Sequence, residues 1–152
     1  MGVGDTAASV GKGLFAGAAG TAVMTVSSTL EAKLRDRGSS SAPADAAGRV
    51  LGVQPRDEDG QARFSNIVHW SYGVCWGAVR GLLDAAGLAG PKAAGAHFAA
   101  VWGSAQVMVP SLGVAPPPWK TPPKELGIDA LHHAVYAAAT SVAFAALQRS
   151  AS

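Results

Sequence analysis

Two series of polar side chains could do chemistry, because each recurs at a spacing that places its members along one face of a helix. The first series is His69, Tyr72, Trp76 and Arg80. The second series is Asp129, His133, Tyr136 and Thr140. With a helical step of about 100° per residue, each series falls within about 80° of arc.

The chemistry that these series suggest is acid–base chemistry, because histidine titrates near neutral pH. Asp129 reaches His133 one turn along the helix, whereas His132 points about 100° away and is a poorer member. Gln106 is a further polar side chain deep in an apolar segment. Facing each other across a bundle, the series would form a path for protons or small solutes. Alternatively, they would bond to one another and fix helix register, with Arg80 extending outward to water.

A b-type haem is another alternative, because His69 and His133 fall at similar depth on separate helices, as bis-histidine ligation requires. A haem- or quinone-binding membrane subunit is therefore a further class. No CxxCH, HExxH, GxSxG or P-loop motif occurs in the sequence. The adjacent His132 and His133 point to different faces, which argues against a shared metal. We assign no catalytic residue and no metal ligand, and we favour a non-enzymatic protein.

Four apolar segments carry these residues. They cover residues 10–30, 64–83, 93–112 and 126–147. About 20 helical residues cross the roughly 30 Å hydrocarbon core of a bilayer. None of the segments shows the charged outer face that a soluble helical bundle would need. The sequence therefore predicts an all-α fold, a four-helix transmembrane bundle in one membrane domain over residues 1–152, with a polar loop over 31–63.

Composition favours a membrane protein and excludes a nucleic-acid-binding one. Charged residues make up 14% of the chain, against about 25% in soluble domains. The net charge of +2 is too small and too dispersed for nucleic acid. The single cysteine, Cys75, excludes a disulfide within the chain. The lipid bilayer is the expected partner.

Small residues at four-residue spacing predict close helix crossings, which drive helix association in lipid. The predicted packing residues are Gly13, Gly17, Gly73, Gly77, Gly81 and Gly103. Such surfaces would also suit a homo-oligomer or a complex with another membrane subunit. A weak internal repeat pairs FAGAAGTA with FAAVWGSA, and HWSYG with HAVYA. It favours two tandem helical hairpins.

The connecting segments carry their own signals. Ser41 and Pro43 predict the start of a short surface helix that ends at Gly52. Pro110 should bend or stop the third helix. The Pro-rich stretch PSLGVAPPPWKTPPKE is expected to be non-helical and to lie on the membrane surface.

The basic residues predict an orientation. With four spans, both termini and the middle loop share one side, which holds three basic residues, Lys12, Lys92 and Arg149. The other side holds eight: Lys33, Arg35, Arg37, Arg49, Arg56, Arg63, Lys120 and Lys124. The positive-inside rule then places loops 31–63 and 113–125 in the cytoplasm and both termini outside.

Three stretches from Phe64 onward carry a family resemblance. They are FSNIVHWSYGVCWGAV, then VPSLGVAPPPW with its Pro-rich turn, then ELGIDALHHAVYAAAT. Together they resemble the YagU-like family of small bacterial inner-membrane proteins. The resemblance implies a multi-pass protein of the bacterial plasma membrane and brings no catalytic residue with it. On this basis we expect a non-enzymatic membrane module that supports envelope or pH homeostasis.

Overall fold

The computed structural model describes residues 2–38 and 40–150, which form five α-helices and one 3₁₀ turn. The helices are α1 (Val3–Leu34), α2 (Ala42–Leu51), α3 (Glu58–Ala85), α4 (Gly90–Ser111) and α5 (Pro123–Arg149). The 3₁₀ turn covers Pro118–Lys120. No strand occurs within the described residues, so the predicted all-α class is confirmed.

α1 and α3 begin before their apolar segments because polar groups, rather than hydropathy, set their N-terminal ends. The N–H of Gly2, just before α1, donates to Asp5 Oδ2 at 2.9 Å. Asp57 Oδ1, just before α3, accepts from Gly60 N–H at 2.7 Å. Such carboxylates also complement the positive end of the helix dipole. α3 therefore begins at Glu58, six residues before the apolar segment that starts at Phe64.

The connections follow the sequence signals with one difference. The predicted surface helix is α2, which ends at Gly52 in the left-handed region, φ 67°. The third long helix, α4, ends at Ser111, directly after Pro110. The Pro-rich stretch is not wholly non-helical, however. It contains the 3₁₀ turn, and Pro123 opens α5 because proline's fixed φ suits the first turn of a helix.

The four long helices run alternately up and down, with α1 between α3 and α5. Ser9 bonds to Asp84 and Thr25 lies beside His69, so α1 and α3 are antiparallel. α1 packs along most of both neighbours, α3 and α5 meet only locally, and α4 covers one side. Two equivalent tandem hairpins would pack alike, yet the interface of α1 with α3 is far more extensive than that of α4 with α5.

Among the described residues, two helices are long and apolar enough to cross a membrane, α1 and α5, each with mean hydropathy 1.3 over its most apolar window. The 28 residues of α3 and the 22 of α4 are also long enough. Strongly polar side chains inside them, including Arg80 in α3 and Gln106 in α4, lower their hydropathy. All four predicted spans are therefore long enough to cross a membrane, and two of them, α1 and α5, are also apolar enough.

Candidate functional site

The interface between α1 and α3 is made by backbone meeting backbone. A Cβ built on Gly13 would overlap the carbonyl oxygen of Gly77, and a Cβ on Gly77 would overlap that of Gly13. A Cβ on Gly17 would lie 2.8 Å from the Cα of Gly77, and one on Gly81 would overlap the Ser9 carbonyl. Real Cβ atoms do not approach so closely. Only glycine permits this crossing.

The other predicted packing glycines have different neighbours. Gly73 faces the side chain of Thr21, whose hydroxyl a Cβ would overlap. A Cβ on Gly103 would meet nothing within 4 Å, so no other described part of the chain packs closely there. Gly20, which the sequence places beside Gly13 and Gly17 on α1, faces Thr140 and Tyr136 of α5.

The two polar series are divided among separate helix interfaces. Tyr136 is buried, and its hydroxyl donates to the Gly73 carbonyl at 2.6 Å, which joins α5 to α3. Tyr72 instead packs its ring edge-on against Trp76, with centroids 6.0 Å apart. Thr140 is fully buried against α1. Tyr136 is thus the member of the second series that contacts α3, the helix that carries the first series.

His69 binds α1 rather than α5. Its Nε2 lies 2.9 Å from Thr25 Oγ1, and the Thr25 hydroxyl donates to the Thr21 carbonyl at 2.7 Å. Because the Thr25 hydroxyl donates its hydrogen to the Thr21 carbonyl, it can only accept a hydrogen bond from His69. Nε2–H of His69 is therefore the donor to Thr25. This fixes the tautomer of His69 and holds α3 in register with α1.

Asp129 is the most connected member of the two series. Its Oδ2 accepts hydrogen bonds from Trp102 Nε1 at 2.9 Å and Gln106 Nε2 at 3.0 Å, both on α4. Its Oδ1 lies 3.4 Å from His133 Nδ1, which also bonds the Asp129 carbonyl at 2.8 Å. The predicted Asp129–His133 pair is therefore present, and Gln106 belongs to it. Together these side chains tie α4 to α5.

The predicted orientation of Arg80 is wrong. Arg80 does not extend to water: it is 4% exposed, and its guanidinium carbon lies 4.3 Å from the centre of the Phe144 ring. The neighbouring helix α5 covers the direction in which it would have extended. His132 lies outside the second series, as its offset of about 100° predicts. It is buried because α1 occupies that face of α5, and its Nδ1 lies 2.9 Å from Ser27 Oγ.

His97 on α4 was missed by the sequence analysis. It is fully buried, its Nε2 lies 3.0 Å from the Trp76 carbonyl, and its ring lies 5.5 Å from that of Tyr136. The signal that could have found it is a histidine inside the apolar segment 93–112. The two polar series do not include it because they lie on other helices.

An ion-pair cluster closes one end of the bundle, just outside the apolar segments of α1 and α5. Arg35 Nη1 lies 2.9 Å from both Glu31 Oε1 and Glu125 Oε2, and Arg37 also pairs with Glu31. The hydrogen bonds from Arg37 and then Arg35 outweigh desolvation and lower the pKa of Glu31 from 4.5 to about 2. The hydrogen bond from Arg35 likewise lowers the pKa of Glu125. His132 Nε2 lies 3.7 Å from Glu31.

The residues proposed for a haem do not meet. His69 bonds to Thr25 on α1, whereas His133 bonds to the backbone of its own helix. Surface cavities of about 330 and 400 Å³ lie beside α2, and neither histidine lines them. In the described part of the chain, no three His, Cys, Asp or Glu side chains come together as a metal site requires. The arrangement does not fit bis-histidine ligation.

Comparison with known proteins assigns no family to this chain. No family model matches the chain, and neither a curated protein nor a solved structure matches it. The resemblance to the YagU-like family therefore stays a prediction. What the structure contributes is a bundle with a polar interior, tight glycine crossings and two helices with the length and hydropathy of membrane spans.

Proposed function

We propose that this chain is an integral membrane protein whose four long helices all cross the bilayer. The observation that carries the proposal is the inverted distribution of its side chains. Arg80, His97 and Thr140 are buried inside, whereas Phe15 on α1 is 76% exposed and Val142 on α5 is 69% exposed. A soluble bundle buries its large apolar side chains and exposes its charges.

The two most apolar helices support the same proposal. Only 28% of the apolar window of α1, and of that of α5, is buried inside the bundle. A core helix of a soluble protein would be mostly buried. The apolar surface left open fits lipid, and the polar contacts of His69 and Asp129 then satisfy groups that lipid could not.

Membrane extraction tests the proposal. Membranes from cells that express the tagged chain are washed with alkaline carbonate and centrifuged. We expect the chain in the pellet and its release by detergent alone. A folded, monodisperse chain in the supernatant of a detergent-free lysate would contradict the proposal.

Single-cysteine labelling separates four spans from two. In a Cys75→Ser background, Ser40→Cys and Ala89→Cys place one thiol before α3 and one after it. If α3 crosses the bilayer, a membrane-impermeant maleimide labels the two variants from opposite sides. We expect Ser40→Cys on the cytoplasmic side, which is the side richer in basic residues. Labelling of both from the same side would leave α1 and α5 as the only spans.

The role that we propose is that of a non-enzymatic module of the bacterial plasma membrane, supporting envelope or pH homeostasis as the YagU-like resemblance implies. Deletion followed by growth under acid and detergent stress tests this role. A strain that carries Gly77→Leu, in which the α1–α3 crossing is blocked, is the matched control. Normal growth of the deletion strain under both stresses would count against the role.

Proton or small-solute passage is a second candidate, favoured by the partly exposed Asp129 carboxylate beside His133. Liposome flux at two pH values tests it, with His69→Ala and His133→Ala beside the parent. Reduced flux in His133→Ala would support passage. Absence of flux in the parent would remove this candidate and leave the membrane module.

A further inference from the structure

Arg80 is a buried cation whose polar atoms are left without partners. It lies on α3 beneath Phe144 of α5, and its Nε and Nη1 atoms have no hydrogen-bond partner in the described part of the chain. Stacking on an aromatic ring offsets only part of the cost of removing a guanidinium from water. An unpaired buried charge of this kind calls for an anion.

The nearest carboxylate on the same helix is already engaged. Asp84 lies one turn beyond Arg80, and its Oδ2 accepts hydrogen bonds from Ser9 Oγ and Gln148 Nε2, both at 2.9 Å. Gln148 in turn accepts from Lys12 Nζ at 2.6 Å. No ion pair between Asp84 and Arg80 occurs within 4.0 Å. Asp84 therefore joins α1, α3 and α5 at the bundle end, and it acts on Arg80 only through space, without an ion pair.

His97 adds a second unpartnered group to the same region. It is fully buried, and its Nε2 bonds the carbonyl of Trp76, one turn before Arg80 on α3. A carbonyl can only accept, so Nε2–H is the donor, and the buried Nδ1 has no partner among the described residues. A neighbouring anion would favour protonation of Nδ1, which would make it a donor.

We propose that Arg80, with His97 beside it, forms a binding site for one small monovalent anion inside the bundle. Chloride and a small carboxylate such as formate share this chemistry. A lipid phosphate cannot reach a side chain that is 4% exposed and stacked on Phe144 of α5. The inference concerns the bundle interior and stands whether or not α3 and α4 cross the bilayer.

Ligand-linked stability tests the site. The unfolding temperature of the detergent-purified chain is measured as chloride replaces gluconate at constant ionic strength. Ligand that binds only the folded state stabilises it by an amount that grows with the logarithm of concentration. We expect such a rise for the parent and for Lys92→Met, which removes an exposed cation on α4, and no rise for Arg80→Met.

A crossover distinguishes an anion site from a purely structural arginine. In gluconate, Arg80→Met removes a buried charge that has no ion-pair partner and should be at least as stable as the parent. In chloride, the parent should be the more stable of the two. If Arg80→Met does not fold, Arg80→Lys keeps the charge and should retain the chloride response at a higher half-saturating concentration.

Equilibrium dialysis with radiolabelled chloride gives the direct measurement. We expect one chloride per parent chain and none on Arg80→Met, and competition by formate would identify a carboxylate as an alternative occupant. The proposal is overturned if the parent binds neither anion, or if Arg80→Met binds chloride as the parent does. Equal chloride responses of the unfolding temperature in the two proteins would overturn it as well.

Discussion

At the scale of single residues, the hydroxyl of Tyr136 makes one of the contacts that join α5 to α3. Tyr136→Phe removes the donor and keeps the ring, so we expect a loss of about 0.5–1.5 kcal/mol in the free energy of unfolding. Tyr72→Phe is the matched control, because the Tyr72 hydroxyl makes no hydrogen bond among the described residues. Chemical denaturation in detergent measures both variants, and equal losses would show that the Gly73 contact contributes nothing specific.

Individual residues were predictable where spacing along one helix decides the contact. Asp129 and His133 are four apart on α5, and their pairing follows from helix geometry. The partners of His69 and His132 were not predictable, because Thr25 and Ser27 lie on α1, and periodicity within a helix does not say which neighbour faces it. Arg80 was misjudged for the same reason, since α5 covers it.

At the scale of helices, the crossing of α1 and α3 gives the sharpest prediction. A methyl group on Gly77 would overlap the Gly13 carbonyl, so Gly77→Ala should destabilise the protein at or beyond the upper end of the roughly 1–3 kcal/mol typical of overpacking. Gly95→Ala on α4 is the control. Its Cβ would meet nothing within 4 Å, and alanine should leave stability unchanged or raise it by about 0.5–1 kcal/mol. Comparable stability of the two variants in detergent would contradict this crossing.

The ion-pair cluster gives a second prediction at this scale, with a definite sign. The pKa of Glu31 is about 2 when folded, against an ordinary 4.5. Its contribution to stability is therefore fully present above about pH 4.5 and is lost as the pH falls toward 2. We expect Glu31→Gln to flatten the fall in unfolding temperature across that range. Glu58→Gln, which removes a carboxylate without an ion pair in the described structure, should leave the fall unchanged.

Helix number and type were predictable from apolar segments of bilayer length, whereas helix ends and neighbours were not. The ends depend on caps such as Asp57, which lies in a polar stretch that hydropathy ignores. Which helices pack together depends on the glycines of α1. Gly13 and Gly17 face α3, whereas Gly20 faces α5. Spacing marks a residue as suitable for a close approach, but it does not identify the helix that approaches.

At the scale of the whole molecule, an outward-facing charge would have a different effect in a bilayer than in water. Ala138 is exposed near the middle of the apolar segment of α5. In a bilayer, Ala138→Lys should reduce insertion, because a lysine at the centre of a span costs about 2.5–3.5 kcal/mol. In water the same change would be close to neutral. Ala86→Lys, at the exposed end of α3, is the control, and carbonate-resistant membrane fractions measure both. Equal membrane fractions of Ala138→Lys and Ala86→Lys would argue against α5 crossing the bilayer with Ala138 toward lipid.

The central place of α1 has a consequence for biogenesis. α1 is synthesised before α3, and its glycine surface is covered only after α3 has been made, roughly 50 residues later. At about 5–20 residues per second, a nascent chain carries that bare backbone surface for several seconds. The interval favours mispairing with another newly made copy, and α5, which emerges after α3 and α4, completes the enclosure.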